Sequence, residues 1–352
     1  MLSDGTITWR LVDRGKRLRS VRLLQEIGVP GRLRFRHAGG EWRLSLPVPD
    51  VDRMEYLFEV EDANGKRMTI TDPLNPRRVS GAFGAKSEVL LPGYVEPEWL
   101  SWPAAEGESE PFELAAPGLD GEGVLGGVLW AAPSLSDREP APLLLVHDGP
   151  EYAELGGLLR YVASAVATHR IPPLRAALLA PGNRNVWYSA NPAYADALAA
   201  YAELPPATAR IGVGVSLGAL AMLHAHGRHP GLVDGLMLQS GSYFTAETDP
   251  EEEKFSGYAA VSGLVGELDR QASRSVPADA SGRLRPVPVV LTCGTAEENL
   301  ANNRRMAETL RRLGHPVCMV EVRDAHNYTA WRDALHPQLA GLVTELAGER
   351  AA

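Results

Sequence analysis

The sequence predicts an α/β protein, a mostly parallel sheet with both faces covered by helices, preceded by a small all-β unit. Three observations carry that expectation. From Leu143 onward, apolar runs of strand length alternate with helical patterns, as in strands joined by crossover helices. Before residue 95 the chain shows short alternating segments broken by turn residues, the pattern of a β-sandwich. The charge also changes sign: residues 1–95 hold 16 Lys/Arg against 12 Asp/Glu, whereas 96–123 hold eight acids and no base. A chain of 352 residues exceeds what one core usually serves. The expected division is a sandwich over 1–95, an acidic linker over 96–112 and the α/β domain over 113–352.

The first unit is read in order. Arg32, Arg34 and Arg36 alternate with Leu33, Phe35 and His37, the period of two of a strand with one wet face. Such a charge run is most simply a solvated face. Gly39-Gly40 marks a turn before Trp42–Leu46, and Met54–Val60 is a β-rich run closed by Asn64-Gly65. Asp72-Pro73-Leu74-Asn75-Pro76 cannot continue a central strand. In the second domain, strands are expected over 143–146, 176–180, 211–215, 236–239, 287–293 and 317–322. Helices are expected over 155–169, 193–203, 217–229, 299–313 and 329–346.

Composition excludes several classes. The net charge of −9 argues against a general nucleic-acid binder. No apolar run reaches the ~18 residues of a membrane span. The polar N-terminus lacks a signal-peptide core, and two cysteines, Cys293 and Cys318, make no disulfide framework. A cytoplasmic setting is expected.

The chemistry centres on Gly214-Val215-Ser216-Leu217-Gly218. This fits the Gly-x-Ser-x-Gly nucleophile elbow of the α/β-hydrolase fold, and it stands at an expected strand–helix junction. Serine needs a base oriented by a third group, and in this fold the chain order is Ser, acid, His. His326 follows the strand 317–322 and is the expected base. Glu297 and Glu298 follow the strand 287–293; Glu297 is the better placed, with Glu298 and Asp324 the alternatives. The oxyanion donors are expected to be the Leu217 amide and that of Asp148 or Gly149, because Pro150 has no N–H. No metal or cofactor is called for.

Two sets of residues carry a resemblance. Met54–Val60, Asn64-Gly65 and Asp72–Pro76 look like the immunoglobulin-like, starch-binding-related N-terminal module of enterochelin-esterase-type proteins. Leu145–Gly149, Arg184 with Tyr188–Pro192, the elbow, Leu238–Ser242 and Ala325–Tyr328 with Trp331-Arg332 occur in the order seen in enterochelin esterases. The resemblance implies a serine carboxylic-ester hydrolase with Ser216 as nucleophile and His326 as base. Its implied substrate is an ester-linked, enterobactin-like ferric siderophore, the iron arriving on the substrate. Trp187, Tyr188, Tyr243, Phe244 and Tyr328 are expected to line an aromatic pocket, with Arg184 meeting anionic groups; singly, each reads as packing. The chain departs from the family pattern at Asn183, Trp187 and Asn327, which touches substrate choice more than the triad. The rival readings are an acyltransferase using the same intermediate and a non-catalytic binding protein.

Overall fold

The structure, a computed structural model, describes residues 2–3, 5–29, 32–121, 123–133, 135–274 and 285–349. They form two compact units. One comprises residues 1–95 together with 294–297 and 323–330; the other comprises 96–293, 298–322 and 331–352.

The first unit contains β1 (Leu2–Ser3), β2 (Thr6–Val12), β3 (Leu18–Gln25), β4 (Arg36–Ala38), β5 (Glu41–Pro47), β6 (Arg53–Asp62), β7 (Arg67–Ile70), β8 (Arg78–Val79) and β9 (Lys86–Leu90). They make two antiparallel sheets, β1-β2-β5-β4 and β3-β6-β9-β8, with β7 on β6. Alternation does the work: Trp9, Leu11, Leu44 and Leu46 from one sheet share a core with Val21, Leu23, Phe58 and Val60 from the other. Phe35 and Phe58 meet edge to face at 5.0 Å, a favoured aromatic geometry. Arg32, Arg34 and Arg36 are exposed. Only the last belongs to a strand, and Arg34 makes a single bridge to Arg22.

The second unit is built on an eight-stranded mixed sheet ordered β10-β11-β13-β12-β14-β15-β16-β17. These are β10 (Glu108–Ala115), β11 (Val124–Ala131), β12 (Ala141–Val146), β13 (Arg175–Leu179), β14 (Ala207–Val215), β15 (Gly235–Gln239), β16 (Val289–Gly294) and β17 (Val317–Val322). Pairing is parallel from β13 through β16 and antiparallel at β10 and β11. Every residue of β12, β13 and β15 is buried, as strands covered on both faces must be. The helices are α1 (Gly149–Glu154), α2 (Leu158–Ala167), α3 (Arg184–Trp187), α4 (Pro192–Ala202), α5 (Leu217–Arg228), α6 (Tyr258–Ser273), α7 (Leu300–Arg312), α8 (Tyr328–Asp333) and α9 (Gln338–Glu349).

Several expectations need correction. The second part of the acidic segment 96–112 is strand: β10 alternates half-buried Phe112 and Leu114 with exposed Pro111, Glu113 and Ala115. Its glutamates sit on a sheet edge, where charge discourages further pairing. The helix expected over 155–169 is α2, which starts only at Leu158, and Gly156-Gly157 part it from the preceding α1, which was not expected. Gly157 takes φ 60°, and a Cβ on Gly156 would overlap the Tyr152 ring. Pro337 likewise divides the helix expected over 329–346, since it cannot continue a helical hydrogen-bond ladder. Helix α6 was not among the expected elements, and Gly263 and Gly266 interrupt its pattern.

Candidate active site

In the second unit, β14 ends at Val215 and α5 begins at Leu217. The single residue between them, Ser216, is held at φ 53° and ψ −125°. A non-glycine residue there stores strain of about 1–3 kcal/mol, sustained only where neighbours over-determine the backbone. They do so here. The Ser216 amide donates to Gln239 O at 2.9 Å, and its carbonyl accepts from Ala219 N at 3.1 Å and Ser242 N at 3.2 Å. A Cβ on Gly214 would overlap the Gly218 carbonyl, and one on Gly218 would lie 3.0 Å from His147 Cβ. The two motif glycines are therefore steric requirements of the turn. Ser216 Oγ is half-buried, 3.3 Å from Ser242 Oγ. It stands at the N-terminus of a twelve-residue helix, where partial positive charge favours an anion.

The loop after β12 is built by a separate set of contacts. Asp148 has φ 50° and is buried. Its carboxylate takes both arms of Arg184, at 2.8 and 2.9 Å, the bidentate geometry that suits guanidinium. Its amide donates to Tyr188 Oη at 3.0 Å, so of the two expected oxyanion donors on this loop the Asp148 N–H is already engaged. Gly149 follows as the first residue of α1, where a Cβ would overlap the Leu178 backbone. His147 Nδ1 lies 2.7 Å from Gly218 O. Burial lowers this imidazole to about 4, so it is neutral and must donate from Nδ1 to that carbonyl.

The expected aromatic pocket is largely packing. Tyr188 is fully buried and stacks on His147 at 4.7 Å; Trp187, Tyr243 and Phe244 belong to the same core cluster. Trp187 Nε1 donates to Asp120. Arg184, about one third exposed, serves Asp148. Tyr328 is half-buried as the first residue of α8. The sequence misled because large aromatics beside a strand end satisfy a pocket and a core equally well.

Residues not singled out from the sequence shape the loop after β15. Asn303 of α7 accepts from the Gly241 amide at 2.9 Å and donates to its carbonyl at 3.0 Å, while Asn299 Nδ2 donates to Ser240 O at 3.0 Å. Ser240 itself has φ 49° and takes the Trp331 indole N–H on its hydroxyl at 2.9 Å. Two asparagines at i, i+4 on an amphipathic helix were the available signal.

His326, Glu297 and Asp324 lie in the first unit, on the segments 294–297 and 323–330, whereas Glu298 belongs to the second. His326 Nδ1 is 2.8 Å from Glu297 Oε2, and Glu297 is buried, its other oxygen accepting from Gly294 N at 2.7 Å. Glu298 is exposed. Asp324 faces elsewhere, with its Oδ2 2.6 Å from Arg53 Nε. Of the three candidate acids, Glu297 is the one that holds His326. Burial pushes the Asp324 carboxyl up to about 7, although Arg53 pulls the other way. Arg53 is raised; its own desolvation is outweighed by Asp324, Glu55 and Glu88. The short contact keeps the guanidinium charged, and desolvation is what lifts the acid. Among the described residues no group of three or more His, Cys, Asp or Glu side chains is arranged to hold a metal ion, and no helix is long and apolar enough to cross a membrane.

No family model and no curated protein matches the sequence. Solved structures do match. The enterochelin esterase of Shigella flexneri superposes with a TM-score of 0.71 at 18% identity, covering 99% of this chain and 93% of that one. The ferric enterobactin esterase of Salmonella typhimurium gives 0.70 at 17% identity, covering 99% and 95%. A ferulic acid esterase gives 0.52 at 17% identity over 68% of this chain and 99% of that one. The Shigella flexneri enzyme has also been solved in the presence of enterobactin and of 2,3-dihydroxy-N-benzoyl-serine. At such identities the likeness is one of fold, and it runs through nearly the whole of this chain.

Proposed function

We propose that this chain is a serine carboxylic-ester hydrolase of the α/β-hydrolase type, with Ser216, His326 and Glu297 as its triad. The observation that carries the reading is the strained Ser216 turn between β14 and α5. A histidine–glutamate pair at 2.8 Å, on the loops that follow β17 and β16, supports the same reading. A fold pays for strain at a serine where that serine is needed.

The chemistry follows from these parts. Ser216 Oγ attacks the ester carbonyl carbon while His326 Nε2 takes its proton. Glu297, bonded to Nδ1, fixes the tautomer and stabilises the imidazolium. The amides of Leu217 and Gly149 receive the oxyanion. Collapse expels the alcohol with the proton returned by His326, and water then hydrolyses the acyl-enzyme by the same relay. Residues 1–95 act as an immunoglobulin-like module and 113–352 as the catalytic domain. The substrate class is an ester-linked siderophore of the enterobactin kind, a reading supported by the fold shared with enzymes solved with that ligand. Cys293 and Cys318, which form no disulfide, suit a reducing, cytoplasmic setting.

The test is hydrolysis of short p-nitrophenyl esters by the parent and by Ser216→Ala at matched, folded concentration. Activity in the parent and a loss of at least 10³-fold in the variant are expected. Equal rates would remove Ser216 from the mechanism. Ferric-siderophore hydrolysis followed by product mass spectrometry then tests the substrate class.

A further inference from the structure

Arg53 is fully buried at the start of β6. Its Nη1 lies 2.9 Å from Glu55 Oε1 and 3.3 Å from Glu88 Oε1, both on the sandwich. Its Nε reaches Asp324 Oδ2 at 2.6 Å, and Nη2 donates to Asn327 Oδ1. Those two residues flank His326 at −2 and +1. The neighbourhood repeats the pattern. Asp52 N donates to Arg323 O at 2.7 Å, and the Arg323 side chain returns to Asp52 at 2.8 Å and to Asp50 at 2.7 Å. Asp324 then links the two loops: its carbonyl accepts from Ala296 N at 3.1 Å, one residue before Glu297, and its carboxylate also caps its own neighbour Ala325 N at 2.7 Å. Asn327 Oδ1 in turn accepts from Ala330 N at 2.9 Å, capping α8.

A buried guanidinium is costly unless every arm is occupied. Here its arms are divided between two sandwich carboxylates and two residues of the histidine loop. We infer that Arg53, acting through Asp324 and Asn327, is a positioning residue that sets His326 against Glu297, so that the all-β unit is part of the catalytic machinery rather than an appendage. The inference rests on the triad reading for its catalytic consequence, but its structural content, that the Arg53 brace fixes the His326–Glu297 hydrogen bond, stands apart from that reading. Neither Arg53 nor Asp324 touches the reacting atoms in this scheme. They act on rate by fixing the geometry of a base, where small displacements cost large factors.

The experiment follows the downfield Nδ1–H proton resonance of His326 in the full chain labelled with 15N-histidine, assigned by its absence in His326→Ala. It also follows kcat and KM on a p-nitrophenyl ester. In Asp324→Ala the resonance should broaden or vanish, with kcat reduced roughly 10- to 100-fold and KM within about two-fold. Asp324→Asn, which keeps an oxygen to accept from the Ala325 amide, should recover much of both. Asn327→Ala serves should Asp324→Ala not fold. In a His326→Ala background the same substitution should cost nothing further, because the group it positions is gone. An unchanged resonance in a folded variant, or an additive loss in the His326→Ala background, would overturn the inference. If the parent cleaves no ester but the resonance still responds, the esterase reading falls and the brace stands.

Discussion

At Glu297 a single carboxylate does two jobs, one oxygen on the Gly294 amide and the other on His326. The first bond helps to aim the second, since anchoring one carboxylate oxygen orients the other. Replacing Glu297 by Gln should therefore cut kcat roughly 10²- to 10⁴-fold by offering a donor where an acceptor is needed. Glu298→Gln, at an exposed neighbour, should stay within about two-fold, and parallel steady-state kinetics on the two variants would check this. The Ser216 turn and the His326–Glu297 pair were legible in the sequence because a motif, a chain order and a strand end each pointed to them. Arg53 was not. In Arg53-Met54-Glu55-Tyr56 it reads as the wet position of an alternating strand, and its partners Asp324 and Asn327 lie near the far end of the chain. No local pattern reports a contact of that separation. Tyr188 and Trp187 misled for the opposite reason, their local context being consistent with two environments.

At the scale of elements, the parallel core declared itself through unbroken apolar runs, while its antiparallel edge did not. β11 reads Val124-Leu-Gly-Gly-Val-Leu-Trp-Ala131, and two adjacent glycines look like a turn. They are strand because β10 and β13 crowd one of them from both sides. A Cβ on Gly127 would overlap Leu178 O and the Phe112 ring, whereas one on Gly126 would meet only ordinary contacts, the nearest at 3.5 Å. Gly127→Ala should accordingly cost roughly 1–3 kcal/mol by chemical denaturation. Gly126→Ala should lie within about 0.5 kcal/mol of the parent. Equal effects at the two positions would refute this account of why β11 carries glycine.

For the whole molecule, pH acts through groups buried without their usual charge. Burial lowers His147, His224 and His226 to about 4, while in the unfolded chain each takes its proton near 6.5. Between pH 6.5 and 4 the unfolded chain binds more protons, so these groups make stability rise with pH across that window. Asp324 opposes them. Raised to about 7 by burial, it keeps a proton the unfolded chain releases above about 4, and its contribution falls as pH climbs toward 7. Three imidazoles outweigh one carboxyl, so thermal midpoints should increase from pH 4.5 to 6.5, and the increase should be steeper in Asp324→Asn. A flat or falling profile would contradict the assignment. The division of the chain has a consequence in time as well. The unit that begins at the N-terminus closes only with residues 294–297 and 323–330, and Arg53 leaves the ribosome more than 270 residues ahead of Asp324. At typical synthesis rates that interval is on the order of half a minute. Throughout it the nascent sandwich must carry a guanidinium that lacks half its partners, so the first unit to be made is completed only when the second is nearly finished.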